Sequence, residues 1–298
     1  MILFVISRLP NQFIKIKYRR LKFNDAYDIL MMRRGDMDSV SYYEHQISSN
    51  VTLTIIDMKN IDGNFKKELD DNLTVICEGD RVRQDLQRVK KRVKKLFLNK
   101  KKGWIIGATA EFFIHLFVRH MGYKQECLFF NLEENSIKKG FDGYYSKGEL
   151  EWLMESKAGE VGKKGVSFPN KICLAMNDLS CKVSGKDKND KDKQHNNAWR
   201  EAYSHAAHYD VGASEKILKN IKKLSEDYTN EIFHSIEEFN TIPSATIFLS
   251  GSWVQPDHEA IKNGIDNIVG KLKGKRIHVI CVTQRSIDVF KKYIESEE

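Results

Sequence analysis

The sequence predicts an α/β protein, and three observations lead there. Short β-branched runs recur, among them Val51 to Asp57 and Arg276 to Val282. Between them lie segments whose apolar residues return every three or four positions, the signature of amphipathic helices. From Ala108 onward the order reads helix, three strands, long polar loop, helices and a further strand.

Composition narrows the classes. The chain has 298 residues, 41% of them hydrophobic and 10% aromatic, which is enough to build a core and excludes wholesale disorder. With 18 Gly and 4 Pro it is neither collagen-like nor a linker. No run approaches the roughly 20 apolar residues of a membrane-spanning helix. The apolar stretch after Met1 is short and lacks a preceding basic segment, so no secretory signal is expected. Cys77, Cys127, Cys173, Cys181 and Cys281 form no CxxC, which predicts reduced thiols and a cytoplasmic protein. A net charge of +8 and a pI near 9.0 suggest an anionic partner such as nucleic acid.

Residues 1–80 read as a β-rich N-terminal part. Gln12 to Arg19, Val51 to Asp57 and Leu73 to Cys77 are its expected strands. Residues 81–298 read as a basic helix followed by the domain that carries chemistry. Between Arg81 and Lys102 stand eleven Lys or Arg against one acid, Asp85, with an apolar stripe of Val82, Leu86, Val89, Val93, Leu96 and Phe97. Such a run is either a solvated helix or a phosphate-contacting surface. The candidate phosphate contacts are Arg88, Lys91, Arg92 and Lys95, with Arg200 further along.

Gly103 to Gly107 is expected to separate that helix from a second, Ala108 to Met121, which is apolar nearly all round and closed by Gly122. Strands are expected at Gln125 to Leu132, Gly140 to Tyr145 and Leu150 to Lys157, with a turn at Ser146 to Glu149. Residues 159–193 read as a loop, ending in the low-complexity stretch Lys186 to Lys193. Its Lys-rich part, 182–193, is a further candidate for following a phosphate backbone. Helices follow near 196–209, 214–239 and 257–272 and again from Ser286, with Pro243 as a break before the strand Ala245 to Leu249.

Four polar residues stand among apolar neighbours: Glu111 on the buried helix, Asp142 at the second strand, and Glu155 and Lys157 on the third. Strand residues two apart share a face, so Glu155 and Lys157 project together, and Asp142 lies on the adjacent hairpin strand. Carboxylate oxygens suit Mg²⁺ or Mn²⁺, which activate water and polarise a phosphodiester. A neighbouring lysine orients the nucleophile, helps deprotonate it, or offsets developing charge. His205 and His208 lack a third ligand, and Gly159 to Gly165 lacks the spacing of a phosphate-binding loop.

Gly140 to Gly143, followed thirteen positions after Asp142 by Glu155-x-Lys157, resembles the PD-(D/E)xK motif of restriction-endonuclease-like nucleases. The proline of that motif is absent, with Phe141 preceding Asp142. The resemblance implies a core of helix, three-strand meander, helices and further strand. It also implies Asp142, Glu155 and Lys157 as catalytic residues, with Glu111, Asp142 and Glu155 holding the metal. Three features together are, more narrowly, similar to the HamA family, the nuclease subunits of the Hachiman anti-phage defence system. They are Gly107-x-x-x-Glu111, the Gly140-x-Asp142-Gly143 strand, and the leucine-bearing strand Leu150 to Lys157 that ends Glu-x-Lys. The narrower resemblance implies a non-specific or structure-triggered DNase held by a helicase partner, HamB, and with the metal implied by the wider motif the expected cofactor is Mg²⁺, Mn²⁺ substituting. Two alternatives stay open: a catalytically inactive nucleic-acid-binding scaffold, and a restriction endonuclease or junction resolvase of the same fold.

Overall fold

The computed structural model describes residues 39–81, 85–98, 100–131, 136–137, 140–186 and 196–296. The expected strand Gln12 to Arg19 and the stretch from 187 to 193 lie outside them. The strands are β1 (Val40–Ser48), β2 (Val51–Met58), β3 (Lys124–Gln125), β4 (Phe130–Asn131), β5 (Ser136–Ile137), β6 (Gly143–Lys147), β7 (Leu150–Glu160), β8 (Asn240–Phe248) and β9 (Ile277–Gln284). The helices are α1 (Gly63–Glu78), α2 (Leu86–Phe97), α3 (Lys102–His120), α4 (Phe168–Ser184), α5 (Ala198–Ala206), α6 (Glu215–Thr229), α7 (His258–Asp266) and α8 (Ile287–Glu295).

Seven strands form one mixed sheet in the order β1-β2-β9-β8-β7-β6-β3. The four central strands run parallel, and antiparallel pairs flank them. Strands β4 and β5 make a separate two-stranded ladder. The sheet is buried on both faces. Met154, Ile242, Ile280 and Val282 pack in one core with α1, α2, α3 and α8. Leu153, Ala245, Val279 and Cys281 pack in the other with α4, α5, α6 and α7. The central strands therefore read as continuous apolar runs rather than clean alternations.

Several expectations need correction. Leu73 to Cys77 is the last part of α1 and not a strand: Phe65, Leu69, Leu73 and Ile76 form a helical stripe, and that periodicity outweighs local β-propensity. The boundary expected at residue 80 does not divide the sheet, because β2 pairs with β9 from Val51↔Ile277 to Met58↔Gln284. The basic helix is shorter than 81–102. Asp85 caps it by accepting the Arg88 N–H, and it ends at Phe97. Gly103 and Gly107 lie inside α3, where Ile105 and Ile106 pack against Phe248 and Ile287. Gly122 closes α3 as expected, at φ +82°, with Tyr123 N–H donating to Val118 and Gly122 N–H to Arg119.

The strand expected over 125–132 is reduced to β3 and β4. The loop expected over 159–193 contains α4, whose N-cap Ser167 accepts the Asn170 N–H and whose C-cap is Gly185 at φ +71°. Pro243 does not break the chain but lies within β8, opposite Glu155 of β7. The pairing of β8 with β9 skips from Thr241↔Ile277 to Ser244↔Ile280, so the missing N–H falls where that ladder lapses. Among the described residues no helix is long and apolar enough to cross a membrane.

One buried group makes stability depend on pH. The His278 imidazole lies between Thr54 Oγ1 at 2.7 Å and Tyr123 Oη at 2.8 Å. Burial, assisted by Lys147, lowers its pKa from the usual 6.5 to about 4. As pH falls through this window the unfolded chain takes the proton first, so stability is complete above pH 6.5 and declines toward pH 4. The full shift corresponds to a loss of about 3 kcal/mol. Urea unfolding at pH 7 and pH 4.5 should show most of that loss in the wild type and little of it in His278→Gln. Equal losses in both proteins would contradict it.

Candidate active site

Strands β6 and β7 form a hairpin whose turn uses Gly148 at φ +59°. Their ladder ends at Gly143↔Met154, while β7 continues to Glu160 against β8. Asp142 sits just where β6 leaves its partner, and its Oδ2 accepts the Ser156 N–H at 2.8 Å. Gly143 is required by contact: a Cβ there would come within 2.4 Å of Tyr145 Cε2 and 2.9 Å of Met154 Cε.

Glu155 and Lys157 alternate with Met154 and therefore face α4. Glu155 is 2% exposed. Its Oε1 accepts from Lys157 Nζ at 2.7 Å and its Oε2 from Lys182 Nζ at 2.5 Å. Lys157 Nζ also lies 2.7 Å from Asp178 Oδ2, and Lys182 Nζ lies 4.0 Å from Asp142 Oδ1. Three carboxylates and two ammonium groups thus interlock between β7 and α4.

Burial raises the Glu155 pKa, and the Asp142 charge raises it further, against the opposing pull of Lys182 and Lys157. For Lys157, burial acts to discharge the group, but Glu155, Asp142 and the hydrogen bond to Asp178 outweigh it and leave its pKa above the ordinary value. Lys182 behaves alike, with burial outweighed by Glu155 and Asp142. Both lysines are cations at neutral pH.

Of the four residues singled out in the sequence, the structure brings together Asp142, Glu155 and Lys157. Glu111 stands apart. It belongs to α3, which covers the other face of the sheet, and its Oε1 lies 3.8 Å from His115 Nε2. His115 in turn bonds the Tyr145 hydroxyl. Burial raises the Tyr145 pKa first, Arg119 opposes it, and both Glu111 and Asp142 add to the rise, so the two acids act on one phenol. Among the described residues no three His, Cys, Asp or Glu side chains converge as a metal-holding group. A metal would therefore rely on Asp142 and Glu155. Their donor chemistry fits a hard divalent cation, and both already face one positive centre, Lys182 Nζ.

The residues expected at phosphate divide between layers. Arg88, Lys91 and Lys95 are exposed on α2 and, with Arg92 and Asp85, line a cavity of about 340 Å³. Arg92 is bonded to Glu78 and lies 5.0 Å from the Phe130 ring centre. This helix packs with α1 and α8, so the sheet separates it from α4. Arg200 is exposed on α5, in the α4 layer, beside Trp199, which packs on Phe141. A cavity of about 460 Å³ lies elsewhere, lined by Lys66, Arg285, Ser286, Asp288 and Lys292 among others. His205 and His208 belong to the α5 region, and His208 lies 3.5 Å from Asp210.

Sequence reasoning missed Asp178 altogether and placed Lys182 only at the edge of a Lys-rich loop. The signals of a helix were present: a Ser167-Phe168-Pro169 start and an apolar stripe at Phe168, Ile172, Met176, Leu179 and Val183. No protein-family model matches the chain, and no curated protein matches it.

The link between Lys157 and Asp178 should be measurable by a double-mutant cycle. Lys157→Met and Asp178→Asn, singly and together, are expected to give a coupling of about 1–3 kcal/mol in urea unfolding. Additive effects would mean that the pair does not join the helix to the strand.

Proposed function

We propose that the chain is a metal-dependent deoxyribonuclease of the PD-(D/E)xK kind, acting in anti-phage defence with a helicase partner of the HamB type. The observation that carries this reading is the convergence of Asp142, Glu155 and Lys157 at the point where β6 leaves β7. The order α3, β3, β6, β7, helices, β8 accords with a restriction-endonuclease-like core. Five free cysteines suit a cytoplasmic setting.

In this mechanism Asp142 and Glu155 would hold the metal. When bound, Mg²⁺ or Mn²⁺ supplies an activated water and offsets charge on the phosphodiester. Asp142 is oriented by the Ser156 N–H, which leaves its Oδ1 turned toward the shared cationic position. Lys157 is fixed between Glu155 and Asp178 and carries its proton. It therefore serves as a positive charge beside the reacting phosphate and orients the nucleophile, instead of acting as a base. The α2 groove contacts a stretch of backbone removed from the bond being cut, and Arg200 contacts the nearer stretch. Backbone contacts carry little sequence information, so base preference is weak.

A second reading, a catalytically inactive nucleic-acid-binding scaffold, is favoured by one observation: a third carboxylate does not complete a metal-holding group with Asp142 and Glu155 among the described residues. Incubation with plasmid, single-stranded DNA and RNA in Mg²⁺ separates the two. Glu155→Gln and Lys157→Met should each slow DNA cleavage at least about a thousandfold while circular dichroism stays native. Cleavage at the wild-type rate by both variants would defeat the nuclease assignment. Discrete fragments in place of a smear would point to a restriction enzyme or resolvase.

The α2 surface makes a separate prediction. Replacing Arg88, Lys91 and Lys95 together by Ala should flatten the dependence of log affinity on log salt by about 2–3, read by fluorescence anisotropy on duplex DNA. An unchanged slope would remove α2 from the DNA interface.

A further inference from the structure

We propose that Lys182 is a built-in placeholder for the divalent cation: its ammonium occupies the position between Asp142 and Glu155 in the metal-free protein and must leave when metal binds. This inference rests on the nuclease reading of the site. It is carried by geometry. Lys182 Nζ lies 2.5 Å from Glu155 Oε2 and 4.0 Å from Asp142 Oδ1. The other oxygen of each acid is turned away, to Lys157 Nζ and to the Ser156 N–H.

The two lysines differ in what holds them. Lys157 has Asp178 as a second acid at 2.7 Å and keeps a partner if Glu155 turns to a metal. Among the described residues, the acids that hold Lys182 are Asp142 and Glu155, the same pair a metal would take. A dication and an ammonium cannot share a space that small, since like charges a few ångströms apart in a buried site repel strongly. Lys182 is in the last turn of α4, just before Gly185 at φ +71°. Its flexible four-carbon stem can swing outward without moving the helix.

Two consequences follow. Metal binding has to expel a favourably placed ammonium, so the apparent metal affinity is lower than two acids alone would give. The expelled ammonium is then available to a phosphate oxygen of bound DNA, so DNA and metal each favour the other's binding. Loading is thereby tied to the presence of substrate, which restrains a nuclease between encounters.

The test is Mn²⁺ affinity of the intact chain, followed by electron paramagnetic resonance or calorimetry with no substrate. Lys182→Met should bind Mn²⁺ at least about tenfold more tightly than wild type, and Lys182→Arg no more tightly than wild type. Lys157→Met is the control for charge in general: it too removes an ammonium bonded to Glu155, but one that does not stand between the two acids, so it should tighten Mn²⁺ binding by clearly less than Lys182→Met does. Equal gains in Lys182→Met and Lys157→Met, or no gain in Lys182→Met, would overturn the placeholder and leave the metal site standing. Failure of wild type and Lys182→Met alike to bind Mn²⁺ would remove the nuclease reading with it. Should Lys182→Met not fold, Lys182→Gln carries the same comparison.

Discussion

A carboxylate that is 2% exposed cannot rely on hydration, and Glu155 is met instead by the two ammonium groups that reach it from Lys157 and Lys182. Each of those lysines meets a further acid, Asp178 or Asp142. Taking such ions out of water costs several kcal/mol apiece, and well-packed apolar side chains often serve stability as well. What the network does provide is register. Asp178 and Lys182 are four residues apart on a helix, a rise of about 6 Å. Lys157 and Glu155 are two apart on a strand, a rise of about 6.6 Å. The near match lets two ion pairs form side by side, and their crossed order sets α4 antiparallel to β7.

The position of this network follows from the sheet. Strand β7 lies between a parallel neighbour, β8, and an antiparallel one, β6. The antiparallel ladder ends at Met154, one residue before Glu155. From there β7 has a strand on one side only, and the space vacated by β6 admits Asp142. The same break explains Gly143, whose neighbours leave no room for a side chain. Opposite Glu155 stands Pro243, held on the β7 side and released on the β9 side. Backbone irregularity from two strands thus meets beside one buried acid.

Much of this was legible in the sequence, and the limits have physical causes. Glu155, Lys157 and Asp142 announced themselves because polar residues in an apolar strand are costly without a purpose. The hairpin was readable from Gly148, and the end of α3 from Gly122. Glu111 looked like a member of the same set because its helix is apolar all round, but a helix buried on every side does not reveal which face of a sheet it covers. Helix α4 was hidden by polar flanks, since lysines and glycines on either side of residues 168–184 masked a stripe that only spacing discloses. Pairing of β2 with β9 joins Val51 to Ile277 across most of the chain, and no local pattern encodes it.

The basic helix shows why a count of charges overstates a binding surface. Lys90 is 2% exposed, lying 4.3 Å from the Tyr293 ring centre and 3.9 Å from Asp70. Arg92 is engaged with Glu78, and Lys102 with Glu160. What α2 offers to solvent is chiefly Arg88, Lys91, Lys94 and Lys95, at helical spacings of three and four, in the layer away from Glu155. Phosphate approaching the acids meets the local balance of Asp142, Glu155 and Asp178 against Lys157 and Lys182, not the charge of α2. On the proposed reading, holding nucleic acid and accommodating a phosphate at the acids would be separate physical tasks, one falling to an exposed helix face and the other to a buried ion network.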